Sequence, residues 1–366
     1  MIPPEYYIKT AINLAKKGRG YTSPNPVVGA VVVKNNKIIG KGFHEAYGKP
    51  HAEANALNNA GKASFGADLY VTLEPCNHYG KTPPCTKKII EAGIKRVFIA
   101  ASDPNPNVAG SGADFLRKNN IEIITGICEN KAKQLNESFI KYITAKKPFV
   151  TVKCASTLDG QTASSTGDSK WITSEKSREY VHLLRHYNDA IMVGINTVKK
   201  DNPSLTARIN GINTKDPQRF ILDTKLSIDE KSKVITQKSN ATAFIVTGGN
   251  ISFQKKKRLE NNNNVKVIIA PLTNTGKIDL KALMKILGDM KIASLFIEGG
   301  GKVIASAFSS GIADKVCFFY APKILGGNNG SPICYGKGAL LVEKSLPVKN
   351  IEFKRFENDI FITGYV

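Results

Sequence analysis

HAEANALNNAGKASFGADLYVTLEPCNHYGKTPPC, residues 51–85, holds the densest chemistry of the chain. Its pattern reads as a helix from about His51, a strand over 68–73 (DLYVTL), and a second helix that opens at Cys85 after Pro83-Pro84. Zinc takes imidazole and thiolate ligands, and a catalytic zinc site keeps one position for water. His51, Cys76 and Cys85 supply three such ligands. Glu53, two residues from the histidine, is a carboxylate placed to move protons beside the metal without binding it. The spacing therefore predicts a zinc-dependent deaminase site with Glu53 as its catalytic residue. The signature H-x-E followed by P-C-x-x-C is met with one departure: eight residues, NHYGKTPP, separate the cysteines in place of two. His78 in that stretch is an alternative ligand.

Working outward, Ile8, Ala11, Ile12 and Ala15 recur at helical spacing, with Gly18 as a stop. VVGAVVV (27–33) and KIIGKGF (37–43) flank Lys34-Asn35-Asn36, a connection typical of a hairpin. Downstream come a strand RVFIAA (96–101), a helix near 112–119, a strand IEIITGI and a long helix, 129–146. Strands alternating with helices predict an α/β layer structure with a largely parallel sheet beyond the hairpin. Lys147-Pro148 interrupts the pattern, since proline ends helices. Two domains are expected, 1–146 and 147–366. The second begins with a strand, FVTVKCAS, followed by a helix at 175–187 with Ser174 as N-cap. Strands follow near 190–194, 219–223, 243–247, 265–270, 294–298 and 315–320, with helices at 279–287 and 302–309. IEFKRF and DIFITGYV form a terminal hairpin.

With 366 residues, 42% of them apolar and 22% charged, the chain has the balance of a globular protein. No window approaches the roughly 18 apolar residues of a membrane span, and MIPPEYYIKT lacks the apolar stretch of a secretory signal. A cytoplasmic protein without a membrane partner is expected, with its six scattered cysteines reduced. The net charge of +22 divides as +9 over residues 1–146 and +13 over the rest. Only Lys255-Lys256-Lys257-Arg258 is a dense run, read as a solvated helix end before Asn261–264. A diffuse positive field favours small phosphorylated substrates, and a basic stripe with interleaved aromatics is missing, so no nucleic-acid partner is expected. His182 and His186, one helical turn apart, are read as surface or substrate-side residues.

SPNPVVGAVVV, GFHEAYGKPHAEANAL, TLEPCNHYGKTPPC and SDPNP in the first half, with VKCASTLDGQTA, GDSKWITS, LLRHYNDAIMVGINTV, DNPSLTAR and FIEGGG in the second, resemble the bifunctional riboflavin biosynthesis family over almost the whole length. That resemblance implies an N-terminal cytidine-deaminase-like three-layer α/β/α domain followed by a dihydrofolate-reductase-like α/β domain. It implies a zinc deaminase acting on a phosphoribosyl diaminopyrimidine, one zinc per chain, and a reductase that uses NADPH. Asn25, His44, Lys81, Asp103 and Asn105 then line the pyrimidine and phosphate pocket. Ala155, Trp171, Thr197, Asp201 and the run Gly300, Gly301, Lys302, Val303, Ile304, Ala305 and Ser306 contact the dinucleotide. Ser169, Arg185, Leu205, Arg208 and Glu298 contact the ribosyl phosphate substrate, the two arginines as phosphate clamps. Lys153 is placed with this group, and Asp159 also matches the motif. Each reads equally as a strand-end charge or a turn former. A homo-oligomer is expected. The alternative is a zinc deaminase acting on a nucleoside or nucleic-acid base.

Overall fold

The computed structural model describes residues 2–79, 83–105 and 110–366. It divides into two compact units, Met1–Lys146 and Lys147–Val366.

In the first unit the elements run α1 (Pro4–Ala15), β1 (Gly29–Lys34), β2 (Lys37–Phe43), α2 (Ala52–Ala60), β3 (Asp68–Leu73), α3 (Cys85–Glu91), β4 (Arg96–Ala101), α4 (Ser111–Lys118), β5 (Glu122–Thr125), α5 (Glu129–Leu135) and α6 (Glu137–Ala145). The sheet order is β2-β1-β3-β4-β5. β1 is antiparallel to β2 and β3, and β3, β4 and β5 are parallel. Asn35 and Asn36 take φ of 51° and 62°, the left-handed pair that a tight hairpin turn requires. Gly29 has no room for a side chain against the Ala11 carbonyl of α1, and Gly42 none against Ala52 of α2. Gly42 pairs with Ala30, the neighbour of Gly29, so these two helices press on opposite faces. The three layers follow, and β1 is buried through Val33.

The long helix expected over 129–146 is two helices broken at Asn136, where φ is −113° and ψ 21°. The cause is tertiary. Asn136, 4% exposed, accepts the Val27 N–H at 2.8 Å and donates to the Val27 carbonyl at 2.9 Å. A side chain satisfying both backbone groups of a distant residue outweighs the local preference for helix.

The second unit contains β6 (Phe149–Thr157), β7 (Gln161–Ala163), α7 (Glu175–Tyr187), β8 (Ala190–Gly194), α8 (Ile195–Asp201), β9 (Gln218–Leu222), α9 (Lys233–Thr236), β10 (Ala243–Thr247), α10 (Phe253–Glu260), β11 (Val265–Ile269), α11 (Leu280–Asp289), β12 (Ser294–Ile297), α12 (Gly301–Ser309), β13 (Lys315–Ala321), β14 (Ser331–Pro332), β15 (Lys349–Phe356) and β16 (Asp359–Tyr365). Nine strands order as β11-β10-β9-β8-β12-β6-β13-β16-β15, and β7 pairs with β14 apart from them. From β11 to β13 the neighbours are parallel, and the C-terminal hairpin is antiparallel. Their apolar runs are buried on both faces, with Val152, Phe220 and Leu295 on one side and Val193, Ile221 and Ile245 on the other. Ser174 caps α7 through the Ser177 N–H. The run Lys255 to Arg258 lies in α10, with Lys257 and Arg258 in its last turn before Asn261, and Ser252 caps the start of that helix by accepting the Lys255 N–H. Among the described residues no helix is long and apolar enough to cross a membrane.

Replacing Asn136 with Ala strands two buried backbone groups of Val27. The urea transition of this unit is expected to weaken by about 2–3 kcal/mol, with Asn136→Asp recovering part of the loss through its acceptor.

Candidate functional site

Three segments converge in the first unit. His51 is the residue before α2, Cys76 lies just past β3, and Cys85 is the first residue of α3. The sulfurs of Cys76 and Cys85 stand 3.5 and 3.4 Å from His51 Nδ1, and the three donor atoms lie within 4.8 Å of one another. A tetrahedral zinc with bonds of about 2.3 Å to sulfur and about 2.0–2.1 Å to nitrogen spaces such donors by about 3.6 Å. The donor set therefore fits zinc in both chemistry and spacing. His78 is exposed and not part of this cluster. The Cys85 N–H donates to Cys76 Sγ at 3.4 Å, and Thr86 Oγ1 donates to Asn77 Oδ1 at 2.8 Å, tying the far cysteine back to the strand exit.

Glu53, in the first turn of α2, is 4% exposed. Burial, aided by the Cys76 charge, pushes its carboxyl up to about 7. The Cys76 thiol is drawn down, chiefly by its hydrogen bond from Cys85, whose own thiol that bond and burial push up. Two thiols, an imidazole and a carboxylate packed this closely must share protons among themselves. A divalent cation removes that conflict.

The second unit holds a cavity of about 1090 Å³, slightly above the usual range of about 300–1,000 Å³ for small-molecule pockets. Nine lysines and arginines line it against two carboxylates, Asp201 and Glu298. At the start of α12, Gly300 has φ of 62°, and a side chain there would press on Thr197 Oγ1. A bare backbone turn at a helix N-terminus is a cradle for phosphate. It fits a phosphate-bearing ligand.

Residues 1–101 match the cytidine and deoxycytidylate deaminase zinc-binding region, and residues 148–362 match the RibD C-terminal domain. The riboflavin biosynthesis protein RibD of Aquifex aeolicus is 45% identical over 357 residues, covering 97% of this chain and 96% of its own length. This chain belongs to the RibD family. The Escherichia coli RibD is 36% identical over 365 residues, covering 97% of this chain and 96% of its own. The Thermotoga maritima diaminohydroxyphosphoribosylaminopyrimidine deaminase/5-amino-6-(5-phosphoribosylamino)uracil reductase superposes with a TM-score of 0.86 at 39% identity, covering 99% of this chain and 98% of that one. The alternative of a nucleoside or nucleic-acid deaminase is not favoured, because the RibD likeness runs through both halves.

Within this RibD-family chain the residues expected around the metal gather as follows. Asn25 Nδ2 is 3.4 Å from His44 Nε2, and His44, 3% exposed, lies edge-on to His51 with ring centres 5.3 Å apart. Asp103 Oδ1 accepts the Asn105 N–H at 2.9 Å. Burial raises the Asp103 carboxyl, which also senses the charges of Glu74, His78 and Cys76. Lys81 lies outside the described residues. On the reductase side Ala155, Trp171, Thr197, Asp201, Gly300, Gly301, Lys302, Val303, Ile304 and Ser306 line the cavity, and Ala305 does not. Lys153, Ser169, Arg185, Leu205, Arg208 and Glu298 line it too.

Two expectations change. Arg185 is not a free phosphate clamp: its Nε and Nη2 grip Glu298 at 2.6 and 2.8 Å, and Nη1 donates to the Thr206 carbonyl at 3.0 Å. Arg208 is the exposed member, held by Ser204 and Thr206. His186 is not a surface residue but 3% exposed, its Nδ1 accepting the Lys215 N–H. His182 does line the cavity, and burial, with Arg185 and Arg208 nearby, lowers it to about 4, so it is neutral at pH 7. Asp159 is a turn former whose carboxylate accepts the Gly326 N–H at 2.8 Å. The sequence reading missed the cavity cations Lys170, Arg178, Lys200, Lys233 and Lys277, which arrive from separate segments without a shared motif.

Glu298→Ala leaves the Arg185 guanidinium, only 15% exposed, without its carboxylate. The variant is expected to lose about 3–5 kcal/mol in thermal or urea unfolding. Burial raises the Glu298 carboxyl, but Arg185 outweighs it and holds the group below the ordinary range. This stabilisation is therefore present above about pH 4 and is lost as pH falls below it.

Proposed function

We propose that the chain catalyses two consecutive steps of riboflavin biosynthesis. In the first, 2,5-diamino-6-(5-phosphoribosylamino)pyrimidin-4-one exchanges an amino group for oxygen, consuming water and releasing ammonia. In the second, the ribosyl group of that product is reduced to ribityl. The observation that carries the reading is the 3.4–3.5 Å convergence of His51 Nδ1 with the Cys76 and Cys85 sulfurs in a chain that also holds the cationic cavity.

His51, Cys76 and Cys85 would hold zinc, which when bound would supply Lewis-acid activation of water. Glu53, buried in the first turn of α2, would take the two protons of the attacking water in turn, passing one to the ring nitrogen and the other to the departing ammonia. Asn25, His44, Asp103 and Asn105 orient the pyrimidine and its phosphate. NADPH supplies hydride in the second step. The glycine turn at Gly300 and the following helix start receive its phosphates, and the surrounding lysines attract both phosphorylated partners. Trp171, with the Arg178 guanidinium 4.4 Å from its ring, offers a flat surface at the same cavity.

The proposal extends to a cytoplasmic homo-oligomer. All six cysteines are free, as in a reducing compartment. Edge strand β15 is exposed along most of its length, with Ile351 at 60% and Phe353 at 80% exposure. An unpaired apolar edge of this kind invites a second copy.

With the diaminopyrimidine substrate and NADPH, ammonia release and NADPH oxidation are expected together. Glu53→Gln is expected to lose ammonia release by about a hundredfold or more while keeping zinc and oxidising NADPH on the deaminated substrate. Unchanged ammonia release would remove Glu53 from the mechanism. Light scattering checks the assembly: Phe353→Lys should lower the mass towards that of a single chain, and a wild-type monomer would contradict the oligomer.

A further inference from the structure

Glu74 stands between strand β3 and the ligand Cys76, and no feature of the proposed mechanism uses it. It is 5% exposed, and its own N–H donates to the Ala101 carbonyl at the end of β4. Its carboxylate collects four backbone amides. Oε2 accepts the N–H groups of Asp103 and Gly110, both at 3.2 Å, and Oε1 accepts those of Gly112 at 3.2 Å and Ala113 at 3.1 Å. The last two belong to the first turn of α4, which has no side-chain cap of its own. Gly112 allows this approach, since a side chain there would strike the Pro75 carbonyl.

These bonds join two parts of the deaminase site that are distant in sequence. One is the exit of β3, which leads within two residues to Cys76. The other is the segment after β4, where Asp103 in turn accepts the Asn105 N–H. A carboxylate meeting four N–H donors in a buried place forms charge-assisted bonds, which are stronger than neutral ones and fix geometry as well as energy.

We propose that Glu74 is a positioning residue of the deaminase half, fixing Asp103 and Asn105 relative to the metal ligand Cys76 so that the substrate is held against the reacting centre. This rests on the deaminase reading above and on Asp103 and Asn105 meeting substrate. Glu74 itself touches no reacting atom. Its effect should therefore appear in substrate binding more than in the chemical step.

The discriminating variant is Glu74→Gln, which keeps one acceptor oxygen for two of the amides and turns an NH₂ group towards the other two. The holoenzyme variant is expected to retain one zinc per chain, to reduce the deaminated substrate with unchanged KM, and to show KM for deamination raised about tenfold with kcat within about threefold. Glu74→Asp, which keeps the charge, should recover part of the loss. A deamination KM equal to wild type overturns the proposal, as does an equal rise in the reductase KM, which would mark general disruption. A wild-type enzyme that releases no ammonia would instead refute the deaminase reading. If Glu74→Gln does not fold, amide exchange in the wild type decides. The Asp103 and Gly110 amides, outside any helix or strand, should be protected about a hundredfold or more over exposed loop amides, and exchange at the exposed rate overturns the proposal.

Discussion

Both sites depend on one constraint of open α/β sheets: parallel strands release the chain at their carboxyl ends, where helix N-termini also gather. In the first unit Cys76 follows β3 and Asp103 follows β4, while His51 and Cys85 stand at the starts of α2 and α3. In the second unit Thr197 follows β8, Leu222 ends β9, and Glu298 to Gly301 join β12 to α12. The N-terminal end of a helix carries partial positive charge, which favours phosphate at Gly301, and Cys85 is brought to the ligand cluster at a helix start of the same kind. The same local device therefore places the His51, Cys76 and Cys85 cluster in one unit and the cationic cavity in the other.

Burial makes each site selective about what it accepts. Around His51 the packed thiols and the buried Glu53 carboxyl compete for protons, and a divalent cation settles the competition. In the second unit the charged groups divide their roles. Arg185 and Glu298 neutralise each other within the wall, as a largely desolvated pair must. The more exposed lysines, with Arg208, keep their charge for a ligand. The net charge of +22 is thus matched by a local excess where phosphates are expected.

The metal centre was legible in the sequence because its chemistry needs specific residue types next to recognisable helix starts and a strand end. The alternating apolar pattern similarly exposed the sheet elements. What stayed hidden depends on partners far along the chain. Asn136 breaks a helical pattern only because Val27, 109 residues away, needs its side chain. Arg185 meets Glu298 across 113 residues, so no local pattern shows that its guanidinium is already engaged. Glu74 binds backbone amides 29 to 39 residues away, and amides leave no trace in side-chain identity. Motifs disclose the groups that react; the groups that position them are visible only in three dimensions.

The central claim is that one imidazole and two thiolates of this chain form a catalytic zinc centre. Zinc-edge X-ray absorption on the purified protein tests it directly. The account predicts one zinc per chain with two sulfurs near about 2.3 Å and two nitrogen or oxygen neighbours near about 2.0–2.1 Å, one sulfur being lost in Cys85→Ser if metal is retained. A shell of four sulfurs, or of nitrogen and oxygen alone, would contradict it.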